Sequence, residues 1–253
     1  MNLDTINLSY NTDVEKEYAM GYNKAISLQT YLNDHFDQEW HLNVSFHDSW
    51  PVNGVLSYGG NDTQMPDYYH TRAYNGKLEQ ATEKTKWTSK QNSVCLAGSC
   101  TGSTDLTKNE RYAWKMWAED KPWADVRVVS VQTPEHTFPL QPKMTLEEQL
   151  KCKFILSIEG NAAAWDRPAW VMQSNSILLM ADATPRKKLW YYDYIPFIYV
   201  TRENIKETMD SITPEMAKEI LKKQKIAVNT FLTQHSIEQY WNGFMMQNAV
   251  MSK

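Results

Sequence analysis

The chain has 253 residues, 42% of them hydrophobic, and a formal net charge of −4, a length that buries a sizeable core as one compact unit or as two lobes of roughly 100–150 residues each. The charges are dispersed, and no block of Lys or Arg supplies the basic footprint that nucleic-acid backbones require, so no nucleic-acid partner is expected. Nothing in the sequence approaches the roughly 18 uninterrupted apolar residues of a membrane span, and Met1–Thr5 has neither the basic start nor the apolar core of a signal peptide, so a cytoplasmic chain without a transmembrane segment is expected.

In chain order, Thr12 and Glu15 form a capping box, and Val14, Tyr18, Tyr22, Ala25, Leu28 and Leu32 then recur at helical spacing toward Phe36, which predicts a long first helix. Leu42–Phe46, Gly54–Tyr58 and Tyr68–Tyr69 read as short strands between turns at Asp48–Pro51 and Gly59–Asp62. The polar stretch from Gly76 to Gln91 is a helix or connector. From Ser93 onward strands and helices alternate with the rhythm of a parallel α/β sheet. Strands are predicted at Val94–Ala97, Val126–Val131, Phe154–Ile158, Ile177–Met180 and near Phe197–Val200. Helices are predicted at Thr107–Glu119, at Thr145–Lys151 with Thr145 and Glu148 as a capping box, from Gly160 through Trp170 to Gln173, after Thr213–Pro214, and over Phe231–Met245.

Cys95, Cys100 and Cys152 are odd in number and lack CxxC spacing, so they read as reduced thiols rather than a disulfide framework or zinc site. Glycosylation sequons at Asn7, Asn43 and Asn61 read as chance matches, since Asn43 lies inside an apolar run. Most of the ten Trp read as core packing. The six His are scattered, no Asp-x-Asp occurs, and no metal is expected.

Two strand-to-helix crossings carry small residues, Gly98-Ser99-Cys100-Thr101-Gly102-Ser103 and Glu159-Gly160-Asn161-Ala162-Ala163-Ala164. Such turns let backbone N–H groups at a helix start approach a diphosphate, where the helix dipole favours negative charge. Neither is a GxGxxG or GxxxxGK[ST] motif, and an ordinary tight turn is the alternative reading of each.

Lys153–Asn161 followed by Ser174–Met180 resembles glycosyltransferase family 90, which includes the CAP10-type capsule enzymes, protein O-glucosyltransferases and lipopolysaccharide-modifying enzymes. In that family a strand ending in acidic-Gly-Asn leads through a helix to a small-residue turn and another strand. Trp190-Tyr191-Tyr192-Asp193 with Pro196-Phe197-Ile198, Val94–Gly102 with Arg111, and Pro66-Asp67-Tyr68 are similar to further family segments, so the resemblance spans about residues 41–245. Four positions depart from the pattern. Ala97 stands where the family has an arginine, Asp166 stands at or beside a diphosphate-binding arginine with Arg167 one residue away, Tyr199 replaces a histidine, and Leu189 a glutamate.

The resemblance implies an α/β chain of GT-B-like architecture with two Rossmann-like lobes, the N-terminal one reduced. Residues 1–90 would form the acceptor-side lobe, completed by a C-terminal helix over 231–250, and 91–230 the nucleotide-sugar lobe. It implies an inverting, metal-independent transfer of glucose or xylose from a UDP-sugar to a hydroxyl of a glycan or protein, with the UDP-sugar as co-substrate and no cofactor. Donor-binding candidates are Gly98, Ser99, Thr101, Gly102, Arg111, Glu159, Gly160, Asn161, Ala162, Ala163, Arg167, Ser174 and Asn175, with Lys90 as a further cation toward the leaving diphosphate.

Transfer needs a base for the acceptor hydroxyl and stabilisation of the leaving diphosphate. The resemblance implies an Asp of the first lobe as this base, and Asp48, which follows the Leu42–Phe46 strand as the family's catalytic Asp follows a comparable strand, is the candidate, with His47 the alternative, ahead of Asp62 and Asp67. Trp50, Asp67 and Trp165 are acceptor-side candidates. Lys218, Lys222, Lys223 and Lys225 form one basic helical face, read as solvated surface able to meet a lipid-linked acceptor at a membrane. Two rival readings stay open. One is a catalytically silent sugar-binding or scaffold domain of the same fold, the other a nucleotide-dependent epimerase, whose glycine fingerprint is absent.

Overall fold

The computed structural model describes residues 85–131, 138–160, 167–181, 191–192, 195 and 197–248, short pieces at 7–8, 41–42, 44–45 and 56–57, and single positions 28, 30, 33, 34 and 82. In the first 90 residues, β1 (Asn7–Leu8) pairs in parallel with β2 (His41–Leu42), and β3 (Val44–Ser45) with β4 (Leu56–Ser57). The strand expected over Leu42–Phe46 therefore contributes to two separate ladders. Of the expected first helix, Leu28, Thr30, Asn33 and Asp34 are helical, and Leu28 is buried. His47, Asp48, Trp50, Asp62, Asp67 and Tyr68–Tyr69 lie outside the described residues.

From residue 91 the chain builds a five-stranded, all-parallel sheet of β5 (Gln91–Cys100), β6 (Ala124–Val131), β7 (Cys152–Ser157), β8 (Ile177–Ala181) and β9 (Ile198–Val200), in the order β6-β5-β7-β8-β9. Its central strands are apolar on both faces, the composition of a parallel sheet covered on both sides. Val94, Leu96, Phe154, Leu156, Ile158, Ile177, Leu179 and Val200 face one cluster, while Ile155, Leu178 and Met180 face the other. The first cluster is covered by Trp114 and Ala118 of α1 (Glu110–Ala118) and by Ile205 and Met209 of α4 (Ile205–Ser211). The second is covered by Ala169–Met172 of α3 (Arg167–Gln173) together with Tyr191, Tyr192 and Ile195.

Helix starts follow local chemistry. The capping box at α2 (Leu146–Gln149) forms as expected, with Glu148 N–H donating to Thr145 Oγ1 at 3.1 Å and Thr145 N–H to Glu148 Oε2 at 2.7 Å. Thr213 caps α5 (Pro214–Phe231), with Pro214 in the first turn. The helix expected from Thr107 instead begins at Glu110, after a 3-10 turn at Leu106–Lys108, because Asn109 is the N-cap and accepts from Tyr112 N–H at 3.0 Å. Helix α4 has no counterpart among the expected elements, although Ile205 and Met209 stand four apart and are both buried. After Leu232 the C-terminal run is helical as α6 (Gln234–Asn248).

Helix α5 reaches both clusters, with Ala217, Ile220 and Leu221 in one and Ala227, Val228 and Phe231 in the other. Between them Gln224, 7% exposed, accepts from Leu178 N–H at 2.9 Å and donates to Ser176 O at 3.0 Å. Strand β9 pairs with β8 only from Leu179 onward, so the Gln224 amide serves the part of β8 that β9 does not reach.

Cys95, Cys100 and Cys152 are not all reduced thiols. Cys95 on β5 and Cys152 on β7 are joined in a disulfide, with Cα atoms 6.1 Å apart, and Cys100 is the free, buried thiol. The partners are 57 residues apart in sequence and meet only because β7 is laid beside β5, which Cys spacing does not reveal.

Candidate functional site

In the order β6-β5-β7-β8-β9 the chain leaves β5 in one direction to form β6 and returns across it to form β7. Right-handed crossovers of opposite direction put their helices on opposite faces of the sheet, and α1 and α3 do lie against opposite clusters. The carboxyl ends of β5 and β7 therefore flank the crevice where the winding reverses, the usual ligand position in open α/β sheets. A crossover helix runs antiparallel to its strands, so its first turn lies at this edge. Arg111 is the second residue of α1 and Arg167 the first described residue of α3.

The two guanidinium groups reach the crevice from opposite faces. Arg111 donates through Nε and Nη2 to Ile158 O at 3.2 and 3.0 Å and through Nη1 to Ser99 O at 2.9 Å. Arg167 donates through Nη2 to Ala97 O at 2.7 Å and through Nη1 to Gln149 Oε1 at 3.5 Å. Between them is Gly98, where a Cβ would lie 3.4 Å from Arg167 Nη2 and 3.8 Å from Arg111 Nη1. A Cβ on Gly160 would overlap Thr101 Oγ1 and come within 3.0 Å of Arg111 Cζ and Nη2, so the turn after β7 needs glycine at this position for the two crossings to meet. Gly102, at φ +107°, uses the left-handed backbone that glycine accepts without strain.

Asn109 and Ser130 are neighbours of this crevice that are not among the candidates from the sequence. Asn109 is 1% exposed and, besides capping α1, donates to Thr101 O at 3.2 Å and Ser103 O at 2.8 Å, which fixes the first crossing on the helix. Its position just before acidic Glu110 is an N-cap signature that was available. Ser99 Oγ and Ser130 Oγ are 2.6 Å apart, joining β5 to β6 beyond the bulge between Gly98 and Ser99. The Cys100 thiol is pushed up by burial, against the opposing charge of Arg111, and stays protonated.

Gly98, Ser99, Thr101, Gly102, Arg111, Glu159, Gly160 and Arg167 are thus gathered at one edge of the sheet. Gly98 and Ser99 belong to β5 itself, since the strand runs to Cys100 rather than ending at Ala97. Ser174 and Asn175 are not brought to this edge. They precede β8, and in an all-parallel sheet the residues before a strand lie at the opposite edge. There Ser174 Oγ donates to Val171 O at 2.7 Å, and Asn175 Nδ2 donates to Thr82 O at 3.1 Å. Lys90 also lies at that far edge, before β5, and donates from Nζ to Ser176 Oγ at 2.7 Å, so it does not face the crevice. Asn161, Ala162, Ala163, Trp165 and Asp166 lie outside the described residues.

Among the described residues no three His, Cys, Asp or Glu side chains are grouped as metal ligands, and no helix is long and apolar enough to cross a membrane. Compared with protein-family models and with curated proteins, the chain matches none.

Proposed function

We propose that the chain binds the diphosphate of a nucleotide-sugar in the β5/β7 crevice and transfers the sugar to a hydroxyl of a glycan or protein, as an inverting glycosyltransferase with a GT-B-like arrangement of lobes. The observation that carries this reading is the meeting of Arg111 and Arg167 from opposite faces of the sheet across Gly98, with Gly160 packed against Thr101. Planar guanidinium groups match phosphate oxygens bidentately and offset the charge that develops on a leaving diphosphate. The resemblance to glycosyltransferase family 90 supplies the rest. It makes UDP-glucose or UDP-xylose the favoured donor, Asp48 the base for the acceptor hydroxyl with His47 as the alternative, and the transfer metal-independent.

A thermal-shift series with UDP, GDP, UDP-glucose and UDP-xylose tests the proposal. A ligand at 100 times its Kd stabilises the fold by about 2.7 kcal/mol, a rise in Tm of roughly 5–10 °C for a chain of this size. Stabilisation by UDP and its sugars supports the donor site. A second reading, a binding or scaffold domain without turnover, is favoured by Ala97 at the place of a family arginine, and by the use of both arginines to hold strand-end carbonyls. UDP binding without transfer or hydrolysis selects that reading, and a Tm unmoved by every nucleotide removes the donor site altogether.

A further inference from the structure

On the α3 side of the sheet, Ser157 ends β7 and is in register with Met180 of β8, which is in register with Tyr199 of β9. These side chains form one row on one face, about 4.8 Å apart from strand to strand. Ile158 belongs to the opposite cluster, so alternation returns Glu159 to the Ser157 side at the carboxyl edge. Tyr192 belongs to the cluster on this face, and its ring meets Phe197 edge-on at 4.9 Å, with Tyr199 6.3 Å beyond Phe197. Burial holds the Tyr192 phenol well above its ordinary range, and the nearby Tyr191, Glu159 and Tyr199 push it the same way, so it is a neutral hydrogen-bond donor at any physiological pH.

Ser157 is 1% exposed and Tyr192 6%, and neither hydroxyl makes a hydrogen bond among the described residues. Buried hydroxyls are with few exceptions paired. Two buried hydroxyls without a partner among the described residues, both on one sheet face and with the Glu159 carboxylate near Tyr192, suit a partner from outside the fold.

We infer that Ser157, Tyr192 and Glu159 form a subsite for the vicinal hydroxyls of a sugar ring carried by the phosphate-bearing ligand. The inference rests on the nucleotide-sugar reading above and adds to it which side of the sheet takes the polyol. A carboxylate accepts from two neighbouring hydroxyls at once, while serine and tyrosine hydroxyls donate or accept as required. Tyr199, 47% exposed, offers an aromatic face to the apolar side of a sugar ring. Both a donor hexose and a ribose present vicinal hydroxyls, and the choice of ligands separates them.

Isothermal titration of the wild type, Ser157→Ala and Tyr192→Phe with UDP-glucose, UDP and 2′,3′-dideoxy-UDP decides the matter. Each variant removes one hydroxyl and is expected to weaken the matching ligand by about twofold to tenfold. If the ring is the donor sugar, UDP-glucose weakens and UDP does not. If it is the ribose, both weaken and the dideoxy nucleotide is unaffected. The ligand-free variants are expected to melt at or above the wild-type temperature, because neither hydroxyl holds a partner among the described residues. Variants that bind UDP-glucose and UDP like the wild type, or that melt several degrees lower, overturn the subsite while leaving UDP binding by the wild type intact. A wild type that binds no nucleotide overturns the donor reading, and the subsite with it.

Discussion

Replacing Lys90 by Met should stabilise the protein at neutral pH, and the gain should vanish in alkali. Lys90 is 7% exposed, donates to Ser176 Oγ, and has no carboxylate partner among the described residues. Burial lowers its pKa from 10.5 to about 8. A base whose folded pKa lies below its unfolded one binds fewer protons in the fold. The penalty is therefore complete below pH 8 and is relieved as pH rises from about 8 to 10.5. The gap between those values corresponds to about 3 kcal/mol. Methionine removes the charge at similar length, and Ser176 Oγ keeps its bond to Cys152 O at 2.8 Å, so losing the Lys90 contact costs only about 1 kcal/mol. Urea titrations followed by Trp fluorescence should show Lys90→Met about 2 kcal/mol more stable at pH 7, with the difference closing or reversing by pH 10.5. Comparing the two proteins at each pH cancels every other titrating group. A difference that stays constant from pH 7 to 10.5 would refute the assignment of the penalty to a buried ammonium. UDP affinity should not change, because Lys90 is at the far edge of the sheet.

Three other outcomes are expected. Gly160→Ala should weaken UDP binding at least tenfold by displacing Thr101 and Arg111, whereas Gly243→Ala, with open space around its Cβ on α6, should leave binding alone and raise stability by about 0.5–1 kcal/mol; equal UDP affinities measured by titration would count against the crevice. Asp48→Asn should retain UDP binding while transfer falls by about 10²-fold to 10⁴-fold, and wild-type transfer should survive EDTA with inversion at the anomeric carbon by NMR; near-normal turnover of the variant would move attention to His47. Unfolding without reductant should expose a single alkylatable thiol, Cys100, and reduction of the Cys95–Cys152 bond should cost roughly 4 kcal/mol; mass spectrometry showing three labelled thiols without reductant would contradict the pairing.

The five parallel strands were legible because Val94–Leu96, Phe154–Ile158 and Ile177–Met180 are short apolar runs spaced by helix-length segments. The capping chemistry of Thr145, Glu148, Thr213 and Pro214 was legible because it is local. Strand order was not, and the errors follow from that. Ser174 and Asn175 resemble a small-residue ligand turn, but only a known parallel topology reveals that they precede their strand and face away from the crevice. Lys90 failed for the same reason. Cys95 and Cys152 became partners through the adjacency of β5 and β7, a non-local fact. The family resemblance singled out Arg111 and Arg167, and the structure sets both at the carboxyl edge, where the first turn of a crossover helix returns. Ser157 and Tyr192 lie inside segments that carry the family resemblance but are not among the site candidates, since an unpaired buried hydroxyl is a property of packing rather than of sequence.

The bridge from Gln224 to Ser176 O and Leu178 N–H makes one long helix and one central strand a single cooperative unit. Hydrogen exchange at the Leu178 amide requires that the α5 side chain withdraw, so the strand cannot open there while the helix stays docked. Helix α5 in turn cannot slide along the sheet by a turn without breaking both bonds and burying an unpaired amide among Leu178, Met172 and Ala227. The sheet therefore opens from its loops and crossings, leaving the β8–α5 pair among the last parts to exchange.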